Sequence, residues 1–487
     1  MKITELEPRD LWNFFYEVTQ VPRPSKREGK MIAYLERFAR ERKLEVRKDK
    51  AGNVLIHKPA TKGFEHLPTV ILQSHIDMVC ESDTPFNFDD NPIRTVIDGE
   101  WVRADGTTLG ADNGIGVAAQ LAILDGKLPH GSIECLFTVD EETGLTGANA
   151  LQEGFLSGDI LLNLDSEDEG ELFISCAGGK TTTATLSYKP VPVSNRHIFI
   201  RFTVSGLRGG HSGCDIHEGR ANANKILAHF LYTLRKKWKF RLAEIKGGDK
   251  HNAIPRQAVA VVGLHVNSKY LHSIVAYFNA SVAKLKEELK DTEPNLSFTM
   301  STTTEGAQHY IDPESTDVLL SALVACPHGV LGVSNTISGL VETSTNLAVV
   351  ETRTCNYEIN IVTSQRSSVE VRKNTLSEEI ATLFLLAGFK VTTSDGYPGW
   401  PANEHSRILQ AAKDSYRRLF GKEPGVRAIH AGLECGLFLE KYPHLDMVSF
   451  GPTLRDVHSP NERLHIPSVE RWWLFLCDLL RHIPPAA

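Results

Sequence analysis

The 487-residue chain reads as an α/β protein: a catalytic domain with a mostly parallel sheet flanked by helices, and an inserted α+β domain. Three observations predict this. Apolar runs at 69–72, 133–139, 160–164 and 446–450 each end in, or soon reach, a His or an acid, as buried strands do when their carboxyl ends build a site. Helical stretches alternate with these runs, which argues a sheet covered by helices. The candidate site residues of this domain lie in 75–165 and at 458, so both ends of the chain build one domain around an insertion.

Helices are expected first, at about 8–19 and 26–43, with Ser25 as N-cap of the second. The first strand then ends in His75-Ile76-Asp77. Residues two apart on a strand share a face, so His75 and Asp77 converge. A metal-ligating His usually has its other ring nitrogen held by a carboxylate or carbonyl. Next comes Thr107-Thr108-Leu109-Gly110-Ala111-Asp112-Asn113-Gly114-Ile115-Gly116, which runs into an apolar helix and leaves Asp112 in the preceding loop. Asp-Asn-Gly is good turn chemistry. The glycines are in the wrong order for a dinucleotide loop, and no P-loop Lys follows.

The strand at 133–139 ends in Asp140-Glu141-Glu142. Adjacent glutamates point different ways, so one can bind a metal while the other faces a substrate water. The strand at 160–164 ends in Asp165, and the one at 446–450 leads through a turn to His458, with Pro460 close behind. Taken singly, each of these is a satisfied strand end or a solvated turn. Together they offer two imidazoles and at least three carboxylates, with no Cys. That donor set suits Zn²⁺ or a similar divalent ion in an open catalytic site. Two ions bridged by one carboxylate are a hydrolytic arrangement.

The insertion has a strand at 198–204, a helix at 219–237, a strand at 258–266, a helix at 270–290 and a strand at 295–302. From about 313 a similar order recurs: helix, strands at 345–351 and 355–363, helix at 368–387, and a final strand. This predicts two sandwich-like halves. The punctuation Lys189-Pro190-Val191-Pro192 and Asp395-Gly396-Tyr397-Pro398-Gly399-Trp400 sets the expected domains at 1–190, 191–395 and 396–487.

Composition bounds the rest. Apolar content of 41% and charged content of 23% are ordinary for a soluble protein. A net charge of −7 without a basic stripe argues against nucleic-acid binding. The eight Cys contain no C-x-x-C pair and read as reduced and mostly buried, as in a cytoplasmic protein. The N-terminus has no apolar signal core, and no segment approaches a transmembrane run, so no membrane partner is expected.

The set His75-x-Asp77, Asp112, Glu141-Glu142, Asp165 and His458 resembles the co-catalytic zinc peptidases of the aminoacylase and carboxypeptidase type. It looks most like their Xaa-His dipeptidase, carnosinase-like branch. Segments that carry the likeness include Cys176-Ala177-Gly178-Gly179, Gly209-Gly210-His211-Ser212-Gly213, Asn252-Ala253-Ile254-Pro255-Arg256 and His430-Ala431-Gly432-Leu433-Glu434-Cys435-Gly436. The likeness covers almost the whole chain and fills every ligand position.

The resemblance implies that Asp112 bridges two metal ions, most simply Zn²⁺ with Co²⁺ or Mn²⁺ as alternatives. It gives His75 and Asp165 to one ion, and Glu142 and His458 to the other. Asp77 orients His75, Glu141 is the general base, and the Asp112–Asn113 peptide can be cis. His211 then donates to the oxyanion and Arg366 holds a substrate carboxylate. Asn252, Asn346 and the backbone near Gly432 are further substrate contacts. Without the resemblance, His211 reads as a loop histidine among turn glycines and Arg366 as a surface arginine. The relatives use the inserted domain as a lid or dimer surface, which implies a homodimer.

The leading expectation is a metal-dependent dipeptidase acting on Xaa-His and related dipeptides. Its alternatives are an N-acyl amino acid deacylase (aminoacylase) on the same scaffold and a metal-binding protein that has lost catalysis. A dipeptidase needs a free amino group, whereas a deacylase prefers it acylated. A chain free of catalysis could dispense with Glu141, which is present.

Overall fold

The computed structural model describes residues 2–193, 197–265, 270–303, 308–334, 339–403 and 405–485. They divide into two compact units: Met1–Cys176, Trp400–Ala428 and Leu433–Ala487 form one, and Ala177–Gly399 with Ile429–Gly432 the other.

The first unit is built on an eight-stranded sheet. Its centre runs Ile133–Thr138, Val70–His75, Ile160–Asn163, Asp446–Ser449, all parallel. Every residue of Val70–His75, Ile133–Thr138 and Ile160–Asn163 is buried, which is why these strands read as largely apolar runs rather than alternating ones. Antiparallel strands Glu45–Lys48 and Val54–Lys58 flank the centre at one side; at the other lie antiparallel Glu171–Cys176 and then the edge strand Gly425–Ile429. The helices Arg9–Thr19 and Gly29–Glu41 fall where expected. Ser25 caps neither; its hydroxyl donates to Asp77 Oδ2 at 2.8 Å.

The second unit is a nine-stranded antiparallel sheet sharing one core with the helices Ala223–Lys237, Leu271–Glu288, Pro313–Ala325 and Glu370–Leu386. Its two halves are joined where Lys246 and Gly247 pair with Glu351 and Val350. The two expected α/β halves thus share one continuous sheet. The sequence placed the first junction near 190, but the chain enters this unit at Ala177. Strand Gly178–Ser187 pairs along its whole length with Glu358–Ser367, so it is the missing strand of the second half, supplied from before the first. The return crossing lies at 399/400 instead of near 396, and Ile429–Gly432 returns once more to the second unit.

Helix starts follow local chemistry. The Asn222 side chain accepts from Lys225 N, and Asp312 accepts from Ser315 N ahead of Pro313. Among the described residues no helix is long and apolar enough to cross a membrane. All eight Cys are free, but only Cys135, Cys176, Cys326 and Cys435 are buried, so "mostly buried" overstates the pattern.

Phe202 is fully buried, with ring contacts to Phe230 at 5.0 Å and Phe278 at 5.8 Å. Phe202→Ala should destabilise the second unit by about 3–5 kcal/mol through lost contacts and a cavity. Hydrogen exchange of the His197–Ser205 amides under denaturant checks this, and unchanged protection would place the unit's core elsewhere.

Candidate metal centre and its companion cluster

Three adjacent parallel strands deliver the acids and one imidazole to one edge of the first unit. His75 pairs with Thr138, and Gln73 with Asn163, so the strands end almost level. His75 closes its strand, Glu141 and Glu142 follow Thr138, and Asp165 lies two residues beyond Asn163. Asp112 stands at the start of Ala111–Asp125 with non-helical angles (φ −80°, ψ 109°), and its peptide to Asn113 is cis. His458 lies in the turn after Leu454–Arg455.

These side chains converge. His75 Nε2 lies 3.1 Å from Asp112 Oδ1 and 3.6 Å from Asp165 Oδ1. His458 Nε2 lies 3.1 Å from Asp112 Oδ2 and 3.0 Å from Glu142 Oε2. Each oxygen of Asp112 therefore faces a different histidine. Ligand atoms within 4.8 Å of one another form three overlapping groups: His75, Asp112, Asp165; His75, Glu141, Glu142; and Asp112, Glu142, His458.

Asp77 does more than the sequence suggested. It meets His75 Nδ1 at 3.2 Å, which leaves Nε2 as the lone-pair nitrogen of the neutral ring. It also accepts from the backbone N–H groups of Glu141 at 3.0 Å and Glu142 at 3.2 Å. One buried carboxylate thus orients an imidazole and both glutamates. Burial pushes Asp77 up, but the hydrogen bond and charge of His75 and the amide of Glu141 bring it down to about 2.

The cluster is short of positive charge. Burial, then Asp165, Glu434 and Glu142, hold Glu141 well above the usual carboxylate range, with His75 opposing. Asp165 is raised in the same way, by burial and then by Asp112, Glu434 and Glu142, again against His75. Burial also acts on Asp112, but its bonds to His458 and His75 outweigh it and hold it low. His458 is pushed up to about 11 by its bonds to Asp112 and Glu142. Glu142 Oε1 is buried without a hydrogen-bond partner. An unpaired carboxylate oxygen amid crowded acids and two imidazoles is what divalent cations would satisfy.

Beneath the cluster lies a polar layer that sequence reasoning missed. Gln73 Nε2 donates to Thr138 Oγ1 at 3.1 Å and to Glu434 Oε2 at 2.5 Å. Asn163 Nδ2 donates to Gln73 Oε1 at 2.5 Å, and Ser449 Oγ to Asn163 Oδ1 at 2.5 Å. Gln73 and Asn163 each sit two residues before a candidate ligand, His75 and Asp165. The available signal was a polar residue inside an otherwise apolar strand. The glycines that faintly suggest a nucleotide loop have another use. A Cβ on Gly110 or Gly114 would lie 2.6 Å from the Arg23 guanidinium.

The remaining predicted residues belong to the second unit. His211 Nδ1 accepts from Gly213 N at 3.3 Å and Cys214 N at 3.1 Å, two donors that outweigh the long 3.5 Å approach of Arg366 Nη2 to Nε2 and favour the proton on Nε2. Burial and then the nearby Arg366 lower its pKa to about 4, leaving a neutral ring with one N–H donor. Arg366 is no surface residue: it is 6% exposed, donates to Tyr397 Oη at 2.8 Å, and has Nε buried without a partner. Tyr397 and His430 are the residues the sequence did not single out here. The Tyr397 carbonyl accepts from buried Lys373 at 2.6 Å. His430 Nε2 lies 2.7 Å from Ser344 Oγ. Gly432 is needed because a Cβ there would lie 2.7 Å from the Tyr397 ring. The Asn346 amide donates to Ala253 O at 2.8 Å, and the Asn252 carbonyl accepts from Ser212 N at 2.8 Å, so both also brace the local backbone.

Comparison with known proteins places this geometry. The model of the Peptidase family M20/M25/M40 matches residues 71–482. The chain is 41% identical over 487 residues to the cytosol non-specific dipeptidase of Escherichia coli (strain K12), covering 99% of each. Among solved structures it resembles the aminoacylhistidine dipeptidase of Vibrio alginolyticus, with TM-score 0.90, 42% identity, and coverage of 100% of this chain and 99% of that one. The aminopeptidase PepT of Bacillus cereus shares the fold at TM-score 0.57 and 17% identity, covering 98% of this chain and 99% of that one.

Burial and then Arg366 lower His430 to about 3 from the ordinary 6.5. Between these values the unfolded chain binds the proton and the folded chain does not, so the contribution is full above pH 6.5 and is lost as pH falls. His430→Asn should therefore flatten the acid side of the second unit's stability curve. Thermal unfolding across that range checks this; slopes equal to the parent's would mean that His430 protonates freely in the native state.

Proposed function

The chain belongs to the Peptidase family M20/M25/M40, and from that premise we propose that it is a dipeptidase working with two divalent cations. The observation that carries the proposal is the convergence of His75, Asp112, Glu141, Glu142, Asp165 and His458 in overlapping ligand groups. Asp112, with one oxygen toward each histidine, would be shared between the ions. His75 and Asp165 would complete one position, Glu142 and His458 the other. Mixed imidazole and carboxylate donors favour Zn²⁺, with Co²⁺ or Mn²⁺ as substitutes. When bound, such a pair supplies Lewis acidity and makes hydroxide available near neutral pH.

The chain's own groups do the rest. Glu141 takes the proton of the attacking water and delivers it to the leaving amine. Asp77 keeps Nδ1 of His75 occupied and fixes the backbone of Glu141 and Glu142. From the second unit's cluster, His211 offers a neutral N–H to the developing oxyanion. Arg366 offers its fork to a free carboxylate. Asn252, Asn346 and the backbone at Gly432 are read as lesser substrate contacts.

The substrate reading is a free dipeptide, with Xaa-His among those cleaved. It is supported by two full-length relatives, one described as a non-specific dipeptidase and one as an aminoacylhistidine dipeptidase. Neither description favours a deacylase. The cytosol relative and the eight free Cys support a cytoplasmic location. The inserted unit is read as a lid and dimer surface, giving a homodimer.

Release of histidine from a panel of Xaa-His dipeptides, β-alanyl-histidine included, should vanish with chelator and return with Zn²⁺. Hydrolysis of N-acyl amino acids in preference to free dipeptides would overturn the reading. Glu141→Gln should lower kcat by about 10²–10⁴-fold while both cations stay bound. Near-parental turnover would remove Glu141 as the base. Arg366→Lys keeps the charge but loses the fork, so KM should rise about tenfold or more, with a smaller change in kcat. A kcat loss at unchanged KM would argue against a carboxylate-binding role.

A further inference from the structure

Glu462 is 2% exposed, and its carboxylate accepts four backbone N–H groups from one short stretch. Leu109 at 2.8 Å and Gly110 at 2.9 Å share one oxygen. Ala111 at 2.7 Å and Asp112 at 3.2 Å share the other. These residues open the helix Ala111–Asp125, whose first N–H groups have no partners within the helix. The fourth donor is the amide of Asp112 itself, whose side chain meets both histidines.

Glu462 shares a turn with His458; its own N–H donates to Ser459 O at 3.0 Å. A single short segment therefore sets an imidazole against one oxygen of Asp112 and also holds the backbone that carries Asp112. Arg23 grips the same stretch from another side. Its buried guanidinium donates to Ile76 O at 3.1 Å, Asp77 O at 2.7 Å, and Gly110 O.

We infer that Glu462 is a positioning residue for Asp112: its carboxylate fixes the Leu109–Asp112 backbone so that both Asp112 oxygens stand at ligand distance, and thereby sets cation affinity. The inference rests on the proposed reading of the cluster as a metal centre. Glu462→Gln is the discriminating change. The amide keeps one acceptor oxygen but turns its NH₂ toward two backbone donors, so half of the cradle is lost. Glu462→Asp keeps the charge on a shorter arm and should be intermediate.

The test is Co²⁺ titration of the apoprotein, followed by calorimetry and by the visible absorption of the bound ion. Glu462→Gln should bind Co²⁺ about 10- to 100-fold more weakly, as expected when a group supporting a ligand is removed, with an altered visible spectrum. Glu462→Asp should recover part of the affinity. A folded Glu462→Gln protein with parental affinity and spectrum would overturn the inference, because a merely structural role would lower thermal stability and leave both readouts alone. If the parent protein takes up no Co²⁺, the metal reading itself fails. Should Glu462→Gln not fold, hydrogen exchange of the metal-free parent decides. Amides 109–112 protected like those of the central strands support a preformed cradle; exchange at open-loop rates overturns it.

Discussion

Crowding of half-buried carboxylates at one end of a parallel sheet is the constraint around which the first unit is organised. Asp112, Glu141, Glu142 and Asp165 share a space with His75 and His458. Like charges this close, and only partly in contact with water, repel one another. Left to relax, such side chains would turn outward or take up protons. They stay because the backbone beneath them is fixed by groups that are not themselves candidate ligands. Asp77 holds two glutamate amides, Glu462 holds the amide of Asp112, and Arg23 ties the loops after His75 and before Asp112 together.

The sheet contributes a second kind of fixity. The residues two positions before His75 and Asp165 are Gln73 and Asn163, which hydrogen-bond to each other across neighbouring strands. Because alternate residues share a face, a polar layer directly underlies the acids. Glu434 terminates this layer, with its carboxyl raised to about 7 by burial despite the charge of His75 and bonds from Thr138 and Gln73. Only Glu434 Oε1 in this layer is buried without a partner, and the bonded remainder specifies strand register more sharply than apolar contacts do, since a slip of one residue would break several buried hydrogen bonds at once.

Much of this was legible in the sequence, for a physical reason. A buried parallel strand is mostly apolar, so the acid or histidine just at its end stands out, and His75, Glu141 and Asp165 were found that way. Asp112 and His458 lie in turns and needed the company of the others. What stayed hidden is what depends on pairing rather than pattern. Strand Gly178–Ser187 lies before the Pro190 punctuation, and only its register with Glu358–Ser367 assigns it to the second unit. Ser25 looked like a helix cap because its local context allows one, yet its hydroxyl serves Asp77, 52 residues away. Arg366 could not be told from a surface arginine, since its burial comes from strands distant in sequence.

The second unit solves the opposite electrostatic problem. Arg366 is a permanent cation placed beside His211 and His430. Were those rings also charged, the cluster would be a diffuse cationic surface that attracts any anion. Burial, and then Arg366 itself, keep both rings neutral well below physiological pH, so the guanidinium is the fixed charge they face. Its Nε has no partner and its neighbour Tyr397 is braced by Lys373 and by the absence of a side chain at Gly432. On the proposed reading, a directed guanidinium beside neutral imidazoles favours one carboxylate in one orientation over general attraction to negative charge. That is the discrimination a peptidase needs if it is to take a short substrate by its free end.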